Sequence, residues 1–311
     1  MIRIITLLLG VCCLLSCDED VQEIRLTVVN TQTSQDLCSI DVLDDEIIVV
    51  GGEVFQQGVT LIGSGQSWIT DNGFSNKRLF DVDCTDSRCV AVGQDGFYYT
   101  YTAENGWMFT RLDEWDFQRA VSITQSHTVT VSGKSFALGR IYHINSENQV
   151  DTVHVVGNQM QDVTAVDDQT FVAVGYGTIM RSTDGGYDWT YLDQEGDFYQ
   201  SVDFWNHTNG IIVGLSGSIL LTDDGGLTWN TVKSPSTLTG GGRDHFIKVK
   251  YINATEIYIV GDAGLIWHST DGGNSWDAMQ ADVEINFNDI AVYENQLYIV
   301  GNDGYMGVLE L

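Results

Sequence analysis

The 311-residue chain is strongly acidic, because 43 Asp and Glu residues against 14 Lys and Arg residues give a net charge of −29 at pH 7. This charge argues against nucleic acid or an anionic lipid surface as a partner. Hydrophobic residues make up 43% of the chain, which is ample for a core, and 33 glycines against one proline indicate turns built with glycine. A chain of this length forms either two average domains or one all-β domain.

The first residues have the pattern of an export signal. Arg3 precedes an apolar run at 4–15 that is too short to span a bilayer as a stable helix. The string LLSC, ending at Cys17, resembles a bacterial lipobox, in which the cysteine is lipidated and becomes the mature N-terminus; an ordinary signal peptide is the alternative. We therefore predict a signal peptide at 1–16 and a lipidated Cys17 with an acidic tether at 17–22.

The acidic residues after this cysteine bear on where the protein is anchored. The string DED at 18–20 resembles the surface-export signal of Bacteroidetes lipoproteins. In enterobacteria an Asp at that position would instead favour retention in the inner membrane. We expect an exported protein of the cell envelope, attached to the bacterial outer membrane through its lipid alone, and the sequence leaves open which side of that membrane it faces.

A valine-rich run that ends in glycine recurs along the chain, at intervals of about forty residues. The seven closing glycines are Gly51, Gly93, Gly133, Gly175, Gly214, Gly261 and Gly301. Repeats of this length are typical of propeller blades with four short antiparallel strands each. We therefore predict an all-β, seven-bladed β-propeller over residues 23–311. The last repeat lacks a fourth strand, and the string EIRLTVV at 23–29 is predicted to supply it and to close the ring.

Three repeats contain nearly the same hairpin string: RSTDGGYDWT at 181–190, LTDDGGLTWN at 221–230 and HSTDGGNSWD at 268–277. The hydroxyl and the carboxylate can accept hydrogen bonds from turn amides, the glycines permit positive φ, and the tryptophan can cover the hairpin. Three copies on three blades cannot share one substrate, so the motif predicts a structural staple rather than a catalytic site. Its residues are Ser182, Asp184, Trp189, Thr222, Asp224, Trp229, Ser269, Asp271 and Trp276.

The fuller repeat, V-G-x-x-G-x-[IL]-x-x-[ST]-x-D-G-G-x-x-W, is clearest at 212–229 and 259–276. It resembles the photosystem II stability and assembly factor family of seven-bladed Asp-box (BNR-type) propellers, and the resemblance extends over residues 38–311. Known members are exported propellers that bind membrane-protein assembly intermediates without catalysis. The resemblance therefore implies a non-enzymatic scaffold without cofactor or metal. We expect a monomer whose partner is an envelope protein or protein complex. A surface glycan-binding protein or a glycoside hydrolase is the alternative.

The string CTDSRC places Cys84 and Cys89 on either side of a four-residue turn. This spacing suits a disulfide across a hairpin, and an exported chain can keep one. A metal-binding pair is the competing interpretation, but two thiols without a nearby histidine make only half a site. We expect the disulfide, with Cys38 as a buried thiol.

The start of the innermost predicted strand carries a recurring polar position. In chain order its residues are Asp41, Asp81, Ala120, Asp162, Ser201, Lys248 and Asp289. Four carboxylates in a ring could form a paired-acid site or hold a cation. They could also accept hydrogen bonds from amides in a neighbouring blade's glycine turn, and recurrence at a repeat position favours this structural interpretation.

Candidate binding residues fall on the loops between repeats. The longest interval contains the segment 233–250, which has the chain's proline, a three-glycine run and four basic residues. Long loops on a rigid scaffold often bind partners, so we expect Arg243, His245, Lys248 and Lys250 to bind an acidic partner on the face opposite the Asp-boxes. A loop whose lysines merely offset neighbouring acids is the alternative.

Two arginines and several aromatic residues also fall near the inter-blade loops. Arg78 and Arg119 are further candidates for binding, although the [FY]-R-I-P string of sialidases is absent. The aromatic residues are expected to pack between blades or, where exposed, to bind sugar rings or a protein partner. They are Phe74, Phe80, Trp115, Phe117, Phe198, Tyr199, Phe246 and Phe287.

Overall fold

A computed structural model describes residues 22–65, 67–112, 115–194, 196–235 and 244–311. The predicted signal peptide at 1–16, the lipidation site Cys17 and the candidate Arg243 lie outside these residues. Within them, no helix is long and apolar enough to cross a membrane.

The described residues form seven sheets whose strands follow one another in chain order, as the predicted seven-bladed propeller requires. Blade one contains Leu37–Leu43, Glu46–Glu53, Gln57–Ser64 and Ser67–Ser75. Blade two contains Leu79–Cys84, Cys89–Gly93, Phe97–Thr102 and Gly106–Arg111. Blade three contains Gln118–Ile123, Thr128–Lys134, Ala137–Ile144 and Val150–Asn158. Blade four contains Met160–Ala165, Phe171–Gly175, Thr178–Ser182 and Thr190–Leu192.

The remaining blades repeat this order. Blade five contains Tyr199–Phe204, Gly210–Gly214, Ile219–Thr222 and Asn230–Lys233. Blade six contains Phe246–Tyr251, Ile257–Gly261, Leu265–Ser269 and Asp277–Ala281. Blade seven contains Phe287–Tyr293, Gln296–Gly301 and Met306–Glu310. Short 3₁₀ turns occupy Gln94–Gly96, Asp262–Gly264 and Asn302–Gly304, between the second and third strands of their blades.

The N-terminal segment is shared between two blades. Gln22–Ile24 pairs in parallel with Asp277–Ala281 as a fifth strand of blade six, and Thr27–Val28 pairs antiparallel with Met306–Glu310 in the outer position of blade seven. The sequence predicted one strand at 23–29. The chain divides instead because Leu26 is buried in the apolar cluster between blades six and seven, which draws the segment from one sheet to the next.

The core lies between the blades. In the described residues, seven clusters of buried apolar side chains each join two neighbouring sheets. The second strands are valine- and isoleucine-rich and are buried over most or all of their length, as in "FVAVG" at 171–175 and "IYIVG" at 257–261. β-branched side chains suit such pleated surfaces, so burial on both faces explains the recurring apolar run.

The Asp-box hairpins are built from local hydrogen bonds. In blade five the Thr222 hydroxyl donates to Asp224 Oδ1 at 2.8 Å, and the Gly226 amide donates to Thr222 Oγ1 at 3.1 Å. Asp224 also accepts the Thr228 amide at 3.0 Å and the Thr228 hydroxyl at 2.6 Å. Gly225 and Gly226 have φ of 74° and 78°, a conformation that other residues rarely adopt. The carboxylate therefore organises its own turn.

Replacing Asp224 with alanine should lower the free energy of unfolding by about 1–3 kcal/mol, because turn amides lose their acceptor. The neighbouring Asp223 is exposed, so Asp223→Ala is the matched control and should change stability by less than about 0.5 kcal/mol. Chemical denaturation of both variants checks this. Equal effects of the two substitutions would contradict the staple.

The cysteines of blade two form a disulfide. Cys84 and Cys89 are cross-strand neighbours with Cα atoms 4.0 Å apart, and their sulfurs are bonded at 2.03 Å. The bond closes the hairpin between the first two strands of the blade. Cys38 is a free, half-buried thiol that accepts a hydrogen bond from Arg78 Nε at 3.1 Å.

Candidate functional site

The propeller has two chemically different faces. Because successive strands run antiparallel, the turns between third and fourth strands, which carry the Asp-boxes, lie at one end of each sheet. The turns between second and third strands lie at the other end, with the inter-blade connections and the starts of the innermost strands. We call these ends the Asp-box face and the upper face.

Every innermost strand has a β-bulge near its start. The pairing register shifts just after residues 37, 79, 118, 160, 199, 246 and 287. A bulge redirects the side chain of the extra residue. The seven extra residues all line one cavity of about 290 Å³ on the upper face, where the central channel opens. This mouth ring consists of Cys38, Phe80, Arg119, Gln161, Gln200, Ile247 and Asn288.

Two rings of polar positions follow inside the channel. The upper channel ring contains Ser39, Asp81, Ala120, Asp162, Ser201, Lys248 and Asp289, which share one register with the second strands. The lower channel ring, two residues further along, contains Asp41, Asp83, Ser122, Thr164, Asp203, Lys250 and Ala291. Members of both rings line a central cavity of about 70 Å³.

The predicted ring of carboxylates was wrong at one position. Ser39 pairs with Val50 just as Asp81 pairs with Val92, so Ser39 belongs to the upper ring and Asp41 to the lower one. The recurrence of aspartate misled the prediction. Ring residues stand 12 or 13 positions before the closing glycine of their repeat, and Ser39, unlike Asp41, stands at that distance from Gly51.

The channel carboxylates join neighbouring blades. Each accepts a hydrogen bond from a backbone amide in the innermost strand of the next blade. In the upper ring the acceptors and amides are Asp81 with Val121 (2.8 Å), Asp162 with Val202 (3.1 Å) and Asp289 with Ile40 (3.0 Å). In the lower ring they are Asp41 with Cys84 (2.7 Å), Asp83 with Ile123 (2.6 Å) and Asp203 with Tyr251 (2.7 Å). The amides belong to the innermost strands rather than to the glycine turns that the sequence predicted.

Where the upper-ring residue of the preceding blade cannot accept a hydrogen bond, the carboxylate also accepts a backbone amide of its own strand. Ala120 and Lys248 cannot accept an amide of the next blade. Correspondingly, Asp162 Oδ1 accepts the amide of Val163 at 3.0 Å, and Asp289 Oδ1 accepts the amide of Ile290 at 2.8 Å. These contacts give the carboxylates a structural role that accounts for their recurrence.

Lys248 and Lys250 face the channel rather than a basic surface, which corrects the predicted binding loop. Both belong to the innermost strand Phe246–Tyr251. Lys248 Nζ lies 3.5 Å from Asp162 Oδ2. Burial opposes its charge, but Asp162 and the other channel carboxylates raise the pKa of Lys248 well above its usual value. The lysines are therefore charged and offset buried carboxylates.

Two further residues of the predicted basic loop, Lys233 and His245, also lie next to carboxylates. His245 Nδ1 lies 2.8 Å from Asp262 Oδ2, and Lys233 Nζ lies 3.2 Å from Asp244 Oδ2. The sequence could not distinguish a surface loop from an innermost strand here, because the segment 233–250 combines the end of one blade, a connection and the start of the next. His245 therefore lies beside Asp262, whereas Lys248 and Lys250 line the central cavity.

Burial strongly affects the acidity of the channel. It raises the pKa of Asp81 to about 7, with Lys248 opposing this rise and Asp162 and Asp289 adding to it. Burial, followed by the charge of Asp41, raises the pKa of Asp83 well above its usual value. The central cavity of about 70 Å³ is far smaller than the roughly 300–1,000 Å³ of typical ligand sites. No group of three or more His, Cys, Asp or Glu side chains in the described ranges could hold a metal ion.

The upper face of blades one to four carries exposed apolar side chains. Their exposed fractions are 60% for Phe55, 69% for Trp115, 57% for Phe136, 62% for Leu138 and 46% for Tyr176. Phe55, Phe136 and Leu138 have φ of 62°, 65° and 60°. Bulky residues rarely adopt this backbone conformation, so tight turns hold these side chains in solvent at a cost in strain.

Basic side chains lie over the aromatic rings of this face. The guanidinium carbon of Arg111 is 3.6 Å from the Trp115 ring centroid, and Lys134 Nζ is 5.0 Å from that of Phe117. Lys77 lies over Phe55, and both Arg78 and Arg119 lie over Phe80, all within 5.8 Å. Such positions favour cation–π attraction. We call the surface formed by these basic residues with Phe55, Phe80, Trp115, Phe117, Phe136, Leu138 and Tyr176 the cation–aromatic face.

Sequence analysis found part of this surface. It named Arg78, Arg119, Phe80, Trp115 and Phe117 near the inter-blade loops. It missed Phe55, Phe136 and Tyr176. Each of them lies in a turn between the second and third strands of its blade, and an aromatic residue in such a turn, where small or polar residues are usual, could have indicated them.

Comparison with known proteins was made after the geometry was established. Residues 191–292, about a third of the chain, match a family sequence model described as Photosynthesis system II assembly factor YCF48. The structure of YCF48 from Cyanidioschyzon merolae is 14% identical, covering 92% of this chain and 99% of that one, with a TM-score of 0.69. A structure of YCF48 bound to D1 peptide is 16% identical over 94% and 97% of the two chains, also with a TM-score of 0.69.

Other propellers are similar in fold alone. Virginiamycin B lyase from Staphylococcus aureus is 11% identical over 92% of this chain and 99% of that one, with a TM-score of 0.76. No curated protein sequence matches the chain. The predicted resemblance is confirmed by the family match and the shared architecture: this chain is a seven-bladed β-propeller that resembles the photosystem II assembly factor YCF48 family.

Proposed function

We propose that the protein is a non-enzymatic, monomeric scaffold of the cell envelope that binds an acidic segment of a partner protein through the cation–aromatic face. The observation that carries this proposal is the grouping of exposed rings and basic side chains on one face of a chain with a net charge of −29. Exposed aromatic and arginine side chains are the usual anchors of protein interfaces.

The similarity to YCF48 supports a protein partner. One YCF48 structure is described as bound to D1 peptide, so a propeller of this architecture can bind a protein segment. A glycan-binding role would use the same exposed rings, but it would not explain the basic side chains beside them, of which Arg111, Arg119 and Lys134 form no salt bridge within the described residues. The charge complementarity favours an acidic protein segment.

The direction of the N-terminal strand supports an orientation on the membrane. Asp277–Ala281 leads from an Asp-box toward the upper face, and Gln22–Ile24 runs parallel to it. Gln22–Ile24 therefore also runs toward the upper face. We propose that Cys17 carries a lipid. Five residues reach at most about 18 Å, so the anchor would hold blade six near the membrane and leave the cation–aromatic face pointing away from it.

The outer strand of the last blade fits the same proposal. Thr27 pairs with Val308 and Val28 with Gly307, so a short strand from the N-terminal part of the chain joins the sheet of the last blade. We propose that this pairing closes the ring and holds the tethered segment firmly against the propeller, since it covers an edge that would otherwise be free.

Substitution of the exposed face tests the proposal. A triple variant, Arg111→Gln with Trp115→Ala and Phe136→Ala, should lower affinity for the partner captured by cross-linking in native membranes by at least about tenfold. Its melting temperature should stay close to that of the wild type, because these side chains are exposed. The difference between variant and wild type should shrink at high salt, where screening weakens the charge contribution.

The matched control lies on the Asp-box face, where Tyr187 and Leu227 are also exposed. The double variant Tyr187→Ala with Leu227→Ala should bind the partner as the wild type does. If the control loses binding and the triple variant keeps it at low salt, the proposed surface is wrong.

A further inference from the structure

The cavity at the channel mouth adjoins the cation–aromatic face, shares Arg78, Arg119 and Phe80 with it, and adds polar groups from inside the channel. Besides the mouth ring, it is lined by Val54, Arg78 and the upper-ring residues Asp81, Asp162, Lys248 and Asp289. Its volume of about 290 Å³ is close to the lower end of the range of small-molecule sites. The cavity can therefore take a small ligand, and binding of such a ligand can be measured without the protein partner.

Arg119 supplies one wall of the cavity with an unneutralised charge. Its Nε donates to the carbonyl of Gly133 at 3.0 Å, and its guanidinium lies over Phe80 and Phe117. No carboxylate in the described part of the chain forms a salt bridge with it, and burial together with the charge of Arg78 lowers the pKa of Arg119. The terminal nitrogens of such a guanidinium can bind a planar carboxylate through two hydrogen bonds.

Arg78 differs from Arg119 because it already has partners. Its Nη1 lies 3.1 Å from Asp36 Oδ2, and its Nε bonds the Cys38 sulfur. Arg78 therefore adds little net charge to the cavity. The group that remains available for an anion is Arg119.

The upper-ring carboxylates in the cavity lining favour a positive group. Asp162 and Asp289 line the cavity, and their amide bonds use only some of the acceptor sites of each carboxylate. Lys248 offsets part of this charge from within the channel. These carboxylates would repel a phosphate or a dicarboxylate, whose second charge Arg119 could not compensate. An ammonium group would instead be attracted.

Uncharged side chains complete the lining. Gln161, Gln200 and Asn288 bring carboxamides, which can donate and accept hydrogen bonds. Gln200 is only 9% exposed, and its side-chain oxygen accepts no hydrogen bond from any residue that the structure describes. Val54, Phe80 and Ile247 add apolar surface. The lining thus combines a guanidinium that can bind an anion, carboxylates that can bind a cation and a small apolar patch.

We propose that the mouth cavity binds a small zwitterion of the α-amino acid class, with the ligand carboxylate on Arg119 and its ammonium group facing Asp162 and Asp289. The carboxamides would bond the same two groups, and the apolar patch would contact the ligand side chain.

Calorimetry and cysteine alkylation test this proposal on the full chain without any protein partner. Each of the twenty common L-amino acids is titrated at millimolar concentration, with phosphate and succinate as anion controls. At least one amino acid should bind at a single saturable site. It should also slow alkylation of Cys38, which lines the cavity, as followed by mass spectrometry of the Cys38 peptide. Its N-acetyl and its amide derivatives should each bind at least about tenfold more weakly.

Two variants locate the site. Arg119→Gln should weaken amino acid binding at least about tenfold, and Arg119→Lys should also weaken it, because a lysine cannot form the paired hydrogen bonds. Arg25→Gln is the matched control, since Arg25 is paired with Asp282 and does not line the cavity, and it should bind as the wild type does. The proposal is overturned if no amino acid binds or protects Cys38, if phosphate or the N-acetyl derivative binds as well, or if both folded Arg119 variants bind unchanged.

Discussion

Replacing Lys248 with methionine should lower the free energy of unfolding by about 3–5 kcal/mol, because removing one partner of a buried ion pair leaves the other uncompensated. Lys248 Nζ is 3.5 Å from Asp162 Oδ2, and Asp81 and Asp289 are also close enough to raise its pKa. Methionine has a similar shape, so the effect would come from charge rather than from lost packing. Urea denaturation at pH 8 measures it.

The loss of stability in Lys248→Met should depend on pH, and substitution of an exposed lysine should not cause it. Burial raises the pKa of the neighbouring Asp81 to about 7. Its protonation can relieve the missing charge, so the Lys248→Met defect should be smaller at pH 5 than at pH 8. Lys134→Met is the control, since this lysine is exposed at a strand end, and it should change stability by less than about 0.5 kcal/mol. A Lys248→Met protein as stable as the wild type at pH 8 would contradict the role assigned to the channel lysines.

The second large effect is a loss of stability as the pH rises through neutrality. Burial raises the pKa of Asp81 from an ordinary value of 3.8 to about 7. Between these values the folded state holds a proton that the unfolded state has released, so the stability that this group contributes is present below pH 4 and is lost as the pH rises toward 8. At about 1.4 kcal/mol per unit, the loss from Asp81 is about 4 kcal/mol.

Asparagine at this position should flatten that dependence. In Asp81→Asn the side-chain oxygen can still accept the Val121 amide, and the side-chain nitrogen can donate to Ser39, which now donates to Asp81 at 2.7 Å. The variant should therefore be more stable than the wild type at pH 8, with little difference at pH 4. Asp223→Asn serves as the exposed control. Unfolding curves from pH 4 to pH 8 with the same slope for Asp81→Asn and wild type would rule out Asp81 as the titrating group.

The sequence predicted the features that depend on local, repeated chemistry. The closing glycines gave the blade count, and the Asp-box string identified the hydrogen bonds that Thr222 and Asp224 form within their own hairpin. Such information recurs in several repeats, so agreement between those repeats reveals it. The cross-strand pairing of Cys84 and Cys89 is local in the same sense.

Features that depend on contacts between blades were harder to predict. Whether Asp41 belongs to the upper or the lower channel ring depends on the bulge and register of its strand. The repeat alignment was wrong by two residues there, so it assigned Asp41 to the upper ring instead of the lower one. Lys248 and Lys250 resembled loop residues because their buried environment is formed by carboxylates from distant blades. Leu26 divides the N-terminal segment for the same reason: its burial site belongs to blades six and seven.

The central claim is that the cation–aromatic face, and not the Asp-box face, contacts the partner. Photo-cross-linking from single positions tests it most directly, with a benzoylphenylalanine placed at Phe136 in one protein and at Leu227, which is 56% exposed on the Asp-box face, in another. We predict that position 136 forms a specific adduct in native membranes that an excess of unlabelled wild-type protein abolishes, and that position 227 forms none. A specific adduct from position 227 with none from position 136 would contradict the account.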